Sequence, residues 1–241
     1  LYTGDQEQDM EDVDFLIMSA GNGSRLGGPV RKQWLPVGGL PLFLYTAERL
    51  RQYGASSLIV VIHPEDVKAT EDAIAALTQP ERYRVVVGGQ DRQSSVQAGL
   101  NIARRDLVGV HDAARPFLQY GDLQAVLAAA RSTGAATLGH PARDSLITVN
   151  DQRLVQGVLP RQHVWHVQTP QTARRKWLLD AHERARVEGW AATDDSALLL
   201  QAGYPVTVVR GAIGNVKITE PEDIQKLLQL TMRGSEDSCK P

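Results

Sequence analysis

Residues 18–28 read MSAGNGSRLGG, and Lys32 follows shortly after Arg25 in the same stretch. Glycines lack a Cβ, so Gly21 and Gly23 let backbone N–H groups come close to phosphate oxygens. Arg25 is able to grip two oxygens, and Lys32 supplies a point charge. The chemistry open to this set is the binding and activation of a phosphate ester. A plain flexible turn with ordinary surface charges fits the same letters. Two well-known loops do not. The dinucleotide fingerprint requires a third glycine where Leu26 stands. The Walker loop requires Lys and Ser or Thr after its second glycine, where Pro29 and Val30 follow Gly28.

A second chemical feature is HDAARP, which follows the apolar run DLVGV. Open α/β sheets bind ligands outside the carboxyl ends of their strands. Asp112 is therefore a candidate for contact with Mg²⁺ and substrate, since Mg²⁺ usually takes one or two carboxylates together with phosphates and waters. His111 reads as structural. A third feature, GGQDRQSSV, has the form of a loop entering a helix, with Asp91 as cap or first-turn acid.

Composition narrows the function classes. The chain has 241 residues, 42% hydrophobic and 22% charged, with a formal net charge of −2. Bulk affinity for nucleic acid or an anionic membrane is not expected, and any basic site must be local. Cys239 is the single cysteine, which excludes an intramolecular disulfide and a cysteine-based zinc site. The histidines lack HxxxH spacing. No apolar stretch approaches the ~20 residues needed to span a bilayer.

Strand-like and helix-like segments alternate. VDFLIM, SSLIVVIH, YRVVVGG, DLVGVHDAARP and AATLGHP read as strands, several of them buried on both faces. PLFLYTAERLRQY, PEDVKATEDAIAAL, a segment from about Asp91, and DLQAVLAAARSTG read as helices. This alternation predicts an α/β fold, Rossmann-like, with a mostly parallel sheet and helices on both faces. The rhythm breaks at about 143–163, where DSLITVN and RLVQGVLP form a hairpin expected to protrude as an arm that reaches a partner. Helices RRKWLLDAHERARVEG and DDSALLLQAG follow, then strands at YPVTVVRG and near NVKIT, and a last helix at PEDIQKLLQL. The expected organisation is one domain over 13–230. Residues 1–12 are expected to be disordered or added in cloning, with Met10 as a native start, and 231–241 to form a flexible tail. Trp165, Trp177 and Trp190 are assigned to core or dimer packing.

The stretches SAGNGSRLGGPVRKQWL, GGQDRQSSVQAGL, HDAARP, TPQ, TDDSALL and GNVKITEPEDI occur in the order found in 2-C-methyl-D-erythritol 4-phosphate cytidylyltransferases. By this resemblance, which runs from about Asp14 to Leu230, the chain is identified as similar to that family. The resemblance implies an enzyme that joins CTP and a sugar-alcohol phosphate, with Mg²⁺, in a homodimer located in bacterial cytoplasm or plastid stroma. It implies that Ala20, Gly21, Gly23 and Ser24 line the triphosphate loop and that Arg25, Lys32 and Lys217 are catalytic. Gly88, Gly89, Asp91 and Ser95 would meet the nucleotide, with Arg92 bracing their loop. Asp112, Arg115, Thr169 and Thr193 would meet the second substrate, and Asp112 the metal. Asp194 is able to cap the helix after it. In the family the arm crosses to the other subunit, where positions matching Ser145 and Arg161 hold the methylerythritol phosphate, beside Arg143. Many relatives carry an acid where Gly214 stands.

Rival readings are the related ribitol 5-phosphate cytidylyltransferases, which share much of the pattern, a non-catalytic nucleotide-binding regulator, and a nicotinamide oxidoreductase. Leu26 counts against the last of these.

Overall fold

The computed structural model describes residues 10–21, 31–219 and 223. Gly23, Ser24 and Arg25, the tail 231–241, and all of the expected last helix except Asp223 lie outside the described residues. The strands are β1 (Val13–Ser19), β2 (Pro36–Val37), β3 (Leu40–Pro41), β4 (Leu58–Ile62), β5 (Tyr83–Val87), β6 (Leu107–Asp112), β7 (Ala135–Pro141), β8 (Leu146–Val149), β9 (Val155–Leu159), β10 (Trp165–Arg174) and β11 (Thr207–Arg210). The helices are α1 (Leu42–Gln52), α2 (Val67–Ala75), α3 (Arg92–Ile102), α4 (Tyr120–Thr133), α5 (Arg175–Glu188) and α6 (Asp195–Gln201).

Seven strands form one sheet in the order β11-β7-β10-β6-β1-β4-β5. β1 pairs in parallel with both β4 and β6, β4 with β5, and β7 with β11. The period of two along each central strand divides the core. Phe15, Ile17, Leu58, Val60 and Ile62 face one side, with Phe43, Leu44 and Leu50 of α1 and Leu123, Val126 and Leu127 of α4. Leu16, Ile59 and Val61 face the other, with Val96 and Leu100 of α3, Leu178 of α5 and Leu198 of α6. Burying each such side chain stabilises the fold by about 1.5–3 kcal/mol. That explains why β4 is buried along its whole length and reads as a continuous apolar run. Gly99 lets α3 lie against β1, because a Cβ there would come within 2.9 Å of the Leu16 methyls.

Three expectations need correction. The first concerns β10, which the sequence did not suggest. It is a ten-residue strand that runs antiparallel to both β6 and β7. Its buried centre is polar, with Gln168, Thr169, Gln171 and Thr172, and contains Pro170, so the usual apolar signature is missing. Gln168, Thr169 and Gln171 tie the strand to its neighbours by hydrogen bonds. Gln171 Oε1, for example, accepts from the Asp195 N–H at 2.8 Å and so caps the start of α6 beside Asp194.

The second correction concerns the strand expected near NVKIT. Residues 215–219 are irregular, because side chains take up carbonyls there that a ladder would need: Arg115 donates to Asn215 O at 2.8 Å and Lys32 to Ile218 O at 2.9 Å. The third concerns residues 10–12, which are ordered rather than disordered. Met10 is fully buried in the core, and Asp12 O accepts from Leu107 N–H at 3.2 Å.

The hairpin forms as expected. β8 and β9 make a two-stranded sheet separate from the main one. Ile147, Val149, Leu154, Val155, Val158 and Leu159 on and beside it are all exposed. Trp177 packs as expected, stacked on Tyr204 at 4.7 Å. Among the described residues no helix is long and apolar enough to cross a membrane.

Candidate active site

The parallel strands β1, β4, β5 and β6 all end on one edge of the sheet, and the chain leaves β1 toward β4 but returns to β6 on its other side. At such a switch point the connections diverge and leave a crevice. The crevice here holds about 760 Å³. Ser19, Ala20 and Gly21 line it after β1, and His63 and Pro64 after β4. Gly88, Gly89, Gln90 and Asp91 line it after β5, and Asp112, Ala113 and Ala114 at the end of β6. Lys32, Gln33, Arg92, Ser95, Lys217 and Thr219 complete the wall.

The loop before α3 is rigid without help from a ligand. Asp91 caps the helix, accepting from Ser94 N–H at 2.7 Å, and the Ser94 hydroxyl in turn receives the Asp91 N–H. Ser94's hydroxyl and N–H hold the Asp91 carboxyl below its ordinary value. Ser95 Oγ accepts from Gly89 N–H at 3.0 Å and donates to Asp91 O at 2.7 Å. A Cβ on Gly88 would strike Ala20 and Ser95, so the two loops touch only because Gly88 has none. The positive end of α3 thus faces the crevice on a fixed mount, a favourable place for an anion.

The opposite wall carries charge. Lys217 Nζ lies 2.8 Å from Asp112 Oδ2, and Arg115 Nε lies 3.6 Å from the same oxygen. Burial pushes the Asp112 carboxyl up, but Lys217, Arg92 and Arg115 outweigh it and bring it down to about 2. Lys32 Nζ donates to Ile218 O, next to Lys217, so both ammonium groups attach to one strip of chain. That strip is fastened to the sheet: Ile218 N–H donates to Ala114 O, and Asn215 Nδ2 and Gln168 Nε2 donate to Thr169 O and Ala212 O. Gln168 and Asn215 are positioning residues that sequence reasoning missed. Their only signal was their place beside TPQ and within GNVKIT.

The structure therefore brings Ala20, Gly21, Lys32, Gly88, Gly89, Asp91, Ser95, Asp112 and Lys217 to one crevice. Arg92 braces from a different direction than expected, through a 2.7 Å ion pair with the buried Asp195. Among the described residues Arg115, Thr169, Thr193, Ser145 and Arg161 are not on its wall. Thr169 is buried, and its hydroxyl accepts from Asp112 N–H at 3.1 Å and donates to His111 Nδ1 at 2.9 Å. Arg115 donates to Asn215 O at 2.8 Å and to Val167 O at 3.3 Å, with its Nε beside Asp112. Thr193 is exposed just before α6. Arg161 donates to Arg143 O on the arm, where Ser145 is also exposed.

His111 is structural, as expected. It is fully buried, its Nε2 bonds Arg115 O at 3.1 Å, and burial lowers its pKa to about 4. Acid is accordingly expected to weaken the fold in two stages. Unfolded chain takes a proton on this histidine near 6.5 and folded chain only near 4, so stability falls as pH drops through that window. Asp112 contributes stability that is complete above 3.8 and is lost as pH falls toward about 2. Urea midpoints measured along this pH series check both stages, and a midpoint unchanged across the upper window contradicts the role of His111.

A crevice at the switch point of a parallel sheet, with a fixed glycine loop, a helix N-terminus and two lysines, defines a nucleotide-binding α/β protein equipped to handle phosphate chains; by class, a nucleotidyltransferase. Comparison with known proteins then identifies the family. The model of IspD, 2-C-methyl-D-erythritol 4-phosphate cytidylyltransferase, matches residues 13–232, and the chain belongs to this family. The chain is similar to the 2-C-methyl-D-erythritol 4-phosphate cytidylyltransferase of Pelotomaculum thermopropionicum, at 39% identity over 89% of this chain and 92% of that one. It is also similar to the crystal structure of the cytidylyltransferase of that name from Thermus thermophilus, with a TM-score of 0.75, 33% identity, and coverage of 92% of this chain and 99% of that one. A third match is the 4-diphosphocytidyl-2C-methyl-D-erythritol synthase of Anaerococcus prevotii, with a TM-score of 0.79, 26% identity, and coverage of 91% and 98%.

Proposed function

We propose that this chain is a cytidylyltransferase that joins CTP and 2-C-methyl-D-erythritol 4-phosphate, giving 4-diphosphocytidyl-2-C-methyl-D-erythritol and pyrophosphate, a step toward isoprenoid precursors. The observation that carries this reading is the crevice in which Lys32 and Lys217 share one strip of chain opposite the fixed 88–91 loop and the start of α3. Two anions must meet there. A phosphomonoester has a second pKa near ~6 and is largely dianionic at neutral pH, so it needs no nucleophilic side chain and no strong base. One of its oxygens bonds to the α-phosphorus of CTP, and the bond from that phosphorus to the bridging oxygen of pyrophosphate breaks. Positive groups held in advance at the places where charge builds up provide the acceleration. Lys32 and Lys217 do this from one wall while the close-approach loop through Gly88 and Gly89 and the start of α3 receive the nucleotide on the other.

Among the described residues no group of three His, Cys, Asp or Glu is placed to hold a metal. A lone carboxylate still fits Mg²⁺, because that ion keeps waters and takes the remaining ligands from substrate phosphates. Asp112 would hold it, and Mg²⁺ when bound would neutralise phosphate charge. With Gly214 offering no acid, water and substrate would supply the rest of its ligands. Ser145 and Arg161 stand on the arm and not on the wall of their own crevice. The exposed apolar side chains of that arm support pairing with a second copy of the chain, which would carry both residues to the partner's crevice. The reading carries with it a bacterial cytoplasm or a plastid stroma as the place of the reaction.

Pyrophosphate release with CTP and Mg²⁺ tests the reading. Rapid release with methylerythritol phosphate and little with ribitol 5-phosphate is expected. Preference for ribitol 5-phosphate overturns the substrate assignment, and tight CTP binding without release under either condition overturns the enzymatic one.

A further inference from the structure

The opposite edge of the sheet holds a second concavity of about 430 Å³. Arg104 and Arg105 after α3, Arg131 on α4, and Arg174, Arg175 and Lys176 where β10 meets α5 all line it, with Asp12 and Asp106 as the acids. The chain as a whole carries −2, so this cluster does not reflect a generally basic surface. The concavity is separate from the crevice. β6 begins here at Leu107 and ends there at Asp112, a run of about 16 Å at ~3.3 Å per residue.

Its wall is built in advance. The fully buried Asp14 accepts from the backbone N–H groups of Arg104 at 2.6 Å and Arg105 at 2.9 Å, and pairs with Arg84 at 2.6 Å. This fixes the turn that presents both arginines. Asp12 holds Arg131 at 2.7 Å, and the Arg174 guanidinium lies 5.3 Å from the Trp177 ring centroid.

Two features of this wall are unfavourable as they stand. α5 is a fourteen-residue helix that begins with Arg175 and Lys176, with no acid in its first turn and no side-chain cap. Cations at the positive end of a helix repel it. In addition, Arg175 Nε is shielded from solvent and has no hydrogen-bond partner among the described residues. A buried donor left unpaired costs stability. A multiply charged anion would relieve the first of these by neutralising the helix start.

We propose that this concavity binds a polyphosphate anion, a small molecule with two or more linked phosphate groups, at a site distinct from the nucleotide crevice. Several independent elements converge on it with forked guanidinium donors, the geometry that suits phosphate oxygens.

Calorimetric titration of the full chain with inorganic tripolyphosphate near physiological salt tests this. Two binding events are expected, one in each concavity. The double variant Arg104→Gln, Lys176→Gln alters two exposed side chains and is expected to weaken one event at least about tenfold, since a charge-assisted contact is worth roughly a decade. Its pyrophosphate release from CTP should match the parent, and its melting temperature should not fall, because a cation has left the positive end of α5. The variant Lys32→Ala, Lys217→Ala should lose the other event. A single event in the parent, or unchanged titrations in the Arg104 and Lys176 variant, overturns the proposal. So does tighter binding of a duplex oligonucleotide than of tripolyphosphate through these residues. Lys176→Glu supplies a second variant in which the same event should weaken further.

Discussion

Lys32→Ala is expected to lower turnover about 100- to 1,000-fold, the cost of removing one positive group poised at developing charge. The side chain begins a short 3-10 turn, Lys32–Trp34, at the crevice rim, and reaches across to Ile218 O. Its loss removes charge from the crevice without opening a hole in the core, because the buried residue of that turn is Gln33. Circular dichroism and the unfolding midpoint should therefore stay close to the parent while the chemical step slows. Single-turnover pyrophosphate release separates that step from product departure, and a rate within about threefold of the parent would rule out the assigned role. Lys217→Ala makes an instructive contrast. It also strips the 2.8 Å partner from Asp112, whose carboxyl then sits buried with less compensation, so both rate and stability should fall.

The second large effect belongs to the arm. Val158 is 71% exposed on β9, among other exposed apolar residues. Val158→Asp is expected to turn the proposed dimer into a monomer at micromolar concentration, as judged by sedimentation, because it places a charge in the proposed apolar contact. Turnover should fall with it, by about tenfold for each charge-assisted contact the arm brings to the substrate. Mixed dimers sharpen the argument. A chain with Arg161→Ala keeps an intact crevice but lacks the arm's charge, and a chain with Lys32→Ala has the reverse defect. If the arm acts across the interface, each mixed dimer contains one complete site and recovers about half of the parental rate. Verified mixed dimers that recover nothing place the whole site within one chain.

The architecture was legible where local chemistry is strong. β-branched runs such as LIVVI can only be buried on both faces, and their alternation with helical spacing demands a parallel sheet. Gly88 and Gly89, Asp91 as a cap, Asp112 at a strand end, and Lys32 near a glycine loop were all readable from residue type and neighbours. β10 was not, because its buried side chains are polar and their partners lie on α6 and in the 212–219 strip.

The sequence alone determined which side chains carry charge, where backbone amides lie bare, and which runs must be hidden from water. These are properties of a residue and its immediate neighbours. Tertiary structure decided how each polar group is spent. By residue type Thr169 and Arg115 are as fit to meet a substrate as Lys32, yet the fold ties the Thr169 hydroxyl to His111 and Asp112 and the Arg115 guanidinium to Asn215 and Val167. A hydrogen bond goes to whichever partner the fold brings within about 3 Å, and for Arg115 that partner is 100 residues away along the chain.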